Sequence, residues 1–191
     1  MLAIIMGIPG SGKTTVINEA IKILEKEDKK YERVVFGDVI FEIAKKKKFV
    51  KDRDEIRKLP FGIQKILQKE AAKKIEDMTK GKNFIIDTHC TISTPKGYIP
   101  GLPEYALREL KPDVLIIIEA DAKEIEIRRS TDLTRKRDDE NVSEIELHQQ
   151  LNRAITMAYS ALTGASVKII KNSQGKVNDA VMQLVKILSN N

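Results

Sequence analysis

Residues 7 to 14 read Gly7-Ile8-Pro9-Gly10-Ser11-Gly12-Lys13-Thr14 and follow directly on the apolar run Leu2-Ala3-Ile4-Ile5-Met6. This is the spacing G-x-x-x-x-G-K-[ST], in the strand-then-helix setting it needs to bind a polyphosphate. A backbone that wraps phosphates must aim successive N–H groups inward through positive-φ conformations, which glycine adopts without penalty. The loop feeds a helix that opens at Lys13 and Thr14, so unpaired amides and the positive end of the helix dipole attract an anion there. Lys13 supplies a point charge near the β and γ phosphates, and the Thr14 hydroxyl is a ligand for Mg²⁺.

Other residues suited to phosphoryl chemistry follow the later apolar runs. Asp87 ends Phe84-Ile85-Ile86, from where a carboxylate reaches Mg²⁺ or its water shell; the competing account is a cap on the next turn. Asp38, after Phe36-Gly37, reads equally as a helix N-cap, while Gly37 would let a second ligand approach the backbone. Arg57 stands in a helical segment where a second substrate would be held, and its guanidinium fork matches a monophosphate. An exposed helix with Asp54 to Lys58 pairing explains the same residues, and spacing does not decide between them. Residues 128 to 140 are densely charged and read as a short lid. From it Arg129, Arg135 and Arg137 would close over the nucleotide, neutralise phosphates and exclude water. The competing account is a surface helix end laced with ion pairs to Asp132, Asp138 and Asp139.

These residues need a frame that brings strand ends together. Apolar runs at 2–6, 33–36, 84–86, 114–118 and 167–170 predict buried parallel strands, with helical patterns between them. The alternation predicts a three-layer α/β/α sandwich of the phosphate-loop NTPase type, with a five-stranded parallel sheet and ligands at the carboxyl ends of its strands. The first helix shows in Val16, Ile17, Ala20, Ile21 and Leu24. Asp121 with Glu124, and Ser143 with Glu146, have capping-box spacing, and the second starts a stripe of His148, Leu151, Ile155, Ala158 and Leu162 ended by Gly164. His148 on that stripe reads as a packing histidine. Residues 88–103 form a long connection with three prolines and two glycines on the ligand side.

The 191 residues suit one domain, and 41% hydrophobic with 32% charged residues suits a globular protein. A formal net charge of +6 favours anionic partners without choosing among nucleotides, RNA and acidic membranes. The run Lys45-Lys46-Lys47-Lys48 reads as the solvated end of a helix. The single Cys90 excludes an internal disulfide and a multi-cysteine zinc site and fits a reducing cytoplasm. Beside His89 after an apolar strand, it reads as a partly buried thiol rather than a nucleophile. With no basic leader and no apolar stretch of membrane-spanning length, a cytoplasmic location is expected. A GTPase switch lacks its Asn-Lys-x-Asp sequence. An RNA-associated ATPase and a kinase for another nucleoside monophosphate stay open.

Taken together, several segments resemble archaeal-type adenylate kinase. They are Gly7 to Thr15, Phe36-Gly37-Asp38-Val39, Asp52 to Leu59, Ile86-Asp87-Thr88-His89, Thr94 to Pro103, and the Arg135 to Asp138 cluster. The resemblance runs nearly end to end. It implies a nucleoside-monophosphate kinase fold with a helical monophosphate-binding insertion at about residues 37–80 and a short lid at about 128–141. It also implies reversible transfer of the ATP γ-phosphoryl to AMP, Mg²⁺ dependence and a homotrimer. By the same resemblance Gly7 to Thr15 would hold ATP, Lys13 would stabilise the moving phosphoryl group, Asp87 would organise Mg²⁺, and Arg57 would grip AMP. Bacterial relatives end this strand in Asp-Gly-Phe-Pro-Arg; Asp87-Thr88-His89 lacks that arginine, so its contact must come from elsewhere.

Overall fold

A computed structural model describes residues 1–94, 97–131 and 141–190; Arg135 and Arg137 lie outside these residues. Its centre is one parallel sheet in the order β2-β3-β1-β6-β7, formed by β1 (Leu2–Met6), β2 (Tyr31–Val35), β3 (Asn83–Thr88), β6 (Val114–Glu119) and β7 (Ser166–Lys171). Strand β1 is central because every one of its residues is apolar and buried, which suits a strand covered on both faces.

Alternation along each strand divides the core. Leu2, Ile4, Met6, Phe84, Ile86 and Leu115 face α2 (Phe36–Lys46), α3 (Phe61–Thr79), α4 (Glu104–Leu110) and α6 (Val142–Thr163). Ala3, Ile5, Ile85, Ile116 and Ile118 face α1 (Lys13–Lys26) and α7 (Val177–Ser189). Full burial of one such side chain is worth roughly 1.5–3 kcal/mol. A smaller cluster of Ile8, Ala120, Ala122, Ile125 and Ile145 seats the loop after β1 against α5 (Ala122–Ser130) and α6. The fold is thus α/β, a five-stranded parallel sheet flanked by helices, as the alternation of patterns predicts.

Local details differ from the sequence reading. Strand β2 ends at Val35, and Phe36 opens α2 because it joins Val39 and Ile40 as one buried helical face. Asp38 therefore lies in the first turn of α2 and is not its N-cap, a position held by Val35. The connection 88–103 contains an antiparallel hairpin, β4 (Thr91–Thr94) and β5 (Gly97–Pro100). The capping box of α6 is formed by Asn141 and Glu144, two residues earlier than Ser143 and Glu146. Asp121 does cap α5 by accepting from Lys123 N, but Glu124 pairs with Arg128 instead of closing a box.

The buried face of α6 also departs from the apolar stripe. It carries Ile145, His148, Gln149, Asn152, Thr156 and Tyr159, while Leu162 is exposed and Leu151 and Ile155 are only partly covered. A polar helix face is stable inside when its groups are hydrogen-bonded. Here Gln149 exchanges bonds with the Ala120 backbone and Asn152 accepts from the Thr91 hydroxyl at 2.6 Å. His148 lies within this network, Nε2 being 3.0 Å from Thr91 Oγ1 and the ring 4.8 Å from that of Tyr98, which agrees with a packing role.

Candidate active site

The loop between β1 and α1 turns on Gly10 and Gly12, with φ of 90° and 81°. At those angles a side chain would be strained, so glycine is required by the path of the backbone. Thr14 and Thr15 follow on the first turn of α1 and are exposed, open to a ligand.

The outward carbonyls of this loop are held from behind by side chains. His89 Nδ1 donates to Gly7 O at 3.2 Å, and Arg129 Nε to Pro9 O at 2.9 Å. Arg128 Nη1 donates to Gly10 O at 3.3 Å, and Asn172 Nδ2 to Ser11 O at 2.8 Å. A trans peptide sets its N–H opposite to its C=O. Fixing the carbonyls of Gly7, Pro9 and Ser11 therefore orients the amides of Ile8, Gly10 and Gly12 toward the other side of the loop. The Ser11 amide instead closes the turn onto Ile8 O at 3.2 Å.

At the mouth of the loop lies a carboxylate shared between two cations. Strand β3 pairs with β1 so that Ile5 sits beside Asp87, which is 3% exposed. Lys13 Nζ bonds Asp87 Oδ1, and Arg33 Nη2 bonds Asp87 Oδ2 at 2.5 Å. Arg33 reaches from β2, the strand on the other side of β3, and its Nη1 donates to Asn18 of α1 at 2.6 Å. Burial, and secondarily the Arg33 guanidinium, push the Lys13 ammonium down to about 8. The carboxylate is thus the counter-ion for a lysine that the surroundings would otherwise discharge.

The remaining sequence-derived residues are spread along the same edge of the sheet. Gly37 and Asp38 open α2, where Asp38 pairs with Arg53 and the Arg53 guanidinium lies against Gly37, in the space a side chain would take. Arg57 falls on the short 3-10 helix Asp54–Lys58, and its side chain lies outside what the structure describes. Arg129 sits in the last turn of α5 with its Nε on the phosphate-type loop. Cys90 is buried against Thr156 and Asn152, and burial pushes its thiol up to about 11, which leaves it no thiolate at neutral pH.

Several contributors are absent from the sequence-derived set: Arg33, Arg53, Arg128, Asn172 and His89. Asn172 is the first residue past β7, so the rule that informative residues follow strands points to it. Arg33 follows the exposed Glu32 on β2, an edge strand of which only Tyr31 is buried, so the local pattern gave no signal for it. Glu119 at the end of β6 gives a further case, bonding Arg153 of α6 through both carboxylate oxygens at 2.8 and 2.5 Å.

A family profile described as an AAA domain matches residues 6–146, a span that contains the loop, Asp87 and α5. The adenylate kinase of Methanothermobacter thermautotrophicus is 49% identical over 187 residues, 98% of each chain. That of Methanocaldococcus jannaschii is 50% identical over 187 residues, 98% of this chain and 97% of the relative. That of Methanopyrus kandleri is 52% identical over 182 residues, covering 94% and 93% of the two chains. Identity near one half along almost the whole length, on a parallel sheet whose first turn is built for phosphates, means that the chain belongs to the archaeal adenylate kinase family.

Proposed function

We propose that this chain catalyses reversible phosphoryl transfer between adenine nucleotides, ATP + AMP = 2 ADP. The observation that carries the reading is Lys13 resting on Asp87 at the mouth of a loop whose carbonyls are tied outward. A triphosphate seated on the inward amides offers Lys13 a stronger anionic partner, so the ammonium leaves the carboxylate for the β and γ phosphates. Asp87 Oδ1 is then released while Arg33 keeps Oδ2. Direct in-line transfer needs little more than positioned cations and a dry site, because charge accumulates on the equatorial oxygens of the moving group.

The donor set suits Mg²⁺. Near the loop stand one carboxylate, Asp87, and the hydroxyl of Thr14, both hard oxygen ligands, and the described residues hold no cluster of three or more His, Cys, Asp or Glu that would suit a softer metal. The cation, when bound, would neutralise charge on the β and γ oxygens. Thr14 and Asp87 would hold it, Asp87 directly or through water. Arg57 is assigned to the AMP phosphate, with Gly37 and Asp38 beside it. Arg129, Arg135 and Arg137 are assigned to the transition-state charge, in a short lid of about residues 128–141, and the monophosphate-binding region to about residues 37–80. The family resemblance adds a homotrimer, the single Cys90 suits a reducing cytoplasm, and no helix among the described residues is long and apolar enough to cross a membrane.

The test is a coupled assay with Mg-ATP and each of AMP, CMP, UMP, GMP and dTMP, following both diphosphates. Turnover with AMP, largely lost in Lys13→Ala, is expected. ATP hydrolysis that needs no AMP and rises with RNA would refute the proposal.

A further inference from the structure

We propose that Asn172 is a positioning residue for the donor triphosphate, acting through the peptide between Ser11 and Gly12. The inference rests on the phosphate-transfer reading above. Asn172 is 5% exposed and stands where β7 ends, between the loop and the neighbouring strand. Three of its four polar groups hold it in place: N–H to Glu119 O at 2.7 Å, Nδ2 to Ser11 O at 2.8 Å, and O accepting from Arg128 Nη2 at 3.3 Å. The first of these bonds continues the ladder of β6 and β7, so the side chain projects from a rigid element and not from a free loop.

The consequence follows from peptide geometry. With Ser11 O held on Asn172, the Gly12 N–H at the start of α1 must point away from Asn172, toward the concave side of the loop. The amide so fixed belongs to the helix N-terminus, where a phosphate gains most from donors already in place. The left-handed Gly12 brings its α-carbon so close to Asn172 that a side chain there would overlap the amide nitrogen. Arg128 and Arg129 hold neighbouring carbonyls, but both lie in the last turn of α5, next to the lid segment. Asn172 is anchored by the sheet, through its N–H on Glu119 O.

Two substitutions separate this role from general stability. Asn172→Leu keeps the volume and removes the donor; Asn172→Asp keeps the shape and sets a carboxylate against Ser11 O. Both are to be compared with the wild type by thermal unfolding without nucleotide, by titration calorimetry with ATP and with AMP, and by kcat and KM for each substrate. The expected result is ~10-fold weaker ATP binding in Asn172→Leu, the size of one lost buried hydrogen bond, and a larger loss in Asn172→Asp. Each variant leaves the buried Ser11 carbonyl without its donor, so the unfolding midpoint without nucleotide should fall in both, while AMP affinity should stay close to wild type. Equal losses for ATP and AMP, or unchanged ATP affinity in both variants, would overturn the assignment. A wild type that binds ATP but transfers nothing to AMP overturns the functional reading and leaves the effect on ATP binding to be judged by itself.

Discussion

Replacing Asp87 with Asn tests the charge arrangement at the centre of the site. The carboxylate is almost fully buried and bonds Lys13 and Arg33 at once, through separate oxygens. Removing one partner of a buried pair leaves an uncompensated charge, which costs roughly 3–5 kcal/mol. One escape is open, since Lys13 can lose its proton while Arg33 cannot. Burial and Arg33 already bring Lys13 from 10.5 to about 8, a shift equivalent to about 3 kcal/mol, and loss of the carboxylate lowers it further. The folded form then binds fewer protons than the unfolded chain, whose lysine keeps its ordinary affinity, so stability rises with pH. The penalty is fully present below the depressed folded-state value and is relieved as pH climbs from it toward 10.5. Asp87→Asn should therefore lose about 3 kcal/mol against wild type in urea denaturation at pH 6, and visibly less at pH 9. Identical denaturation midpoints, or a deficit that does not shrink with pH, would refute this account of the site.

Two more expectations follow from the same geometry, and a third from the lid reading of the sequence. Because Lys13 must be protonated to meet a phosphate and is pushed down to about 8, kcat/KM for ATP should fall as pH rises above about 8; a profile flat to pH 10 would contradict it. His148→Ala removes a buried ring bonded to Thr91 and packed on Tyr98, so it should cost ~2–4 kcal/mol in thermal or urea unfolding while kcat at 25 °C stays within about twofold. Arg137→Ala should lower kcat by ~100-fold with little change in the affinity for ATP if that guanidinium meets charge that develops during transfer, and steady-state kinetics on ATP and AMP would show the split.

The parallel sheet was legible because buried strands covered on both faces are apolar throughout, as Leu2 to Met6 and Val114 to Ile118 are. The loop at Gly7 to Thr14 was legible because its glycines and lysine are each demanded by local geometry. Side chains that act across the fold left a weaker trace. Arg33 meets Asp87 only once β2 and β3 are paired, and Asn172 meets Ser11 across 161 positions of chain. The hairpin Thr91–Pro100 was hidden because prolines and glycines mark turns as readily as edge strands. The stripe on α6 misled because an apolar pattern marks a buried face only where the neighbour is apolar as well, and here the neighbours are backbone groups at the end of β6 and the hydroxyl of Thr91.

That polar face explains how two segments beside the phosphate-type loop keep their places. Apolar packing alone tolerates sliding, since one methyl surface resembles the next, whereas a satisfied buried hydrogen bond is met at one register only. Gln149 ties α6 to Ala120, which shares a small apolar cluster with Ile8 of the loop. One turn on, Asn152 binds Thr91, and Tyr159 donates to Cys90 O at 3.0 Å, next to the His89 whose ring holds Gly7. Both routes run from a single rigid helix to Gly7 and Ile8, the adjacent residues with which the same short turn begins. The glycines give that turn its freedom of path, and the polar side of α6, with Asn172 and the two arginines of α5, removes the freedom again before any nucleotide arrives.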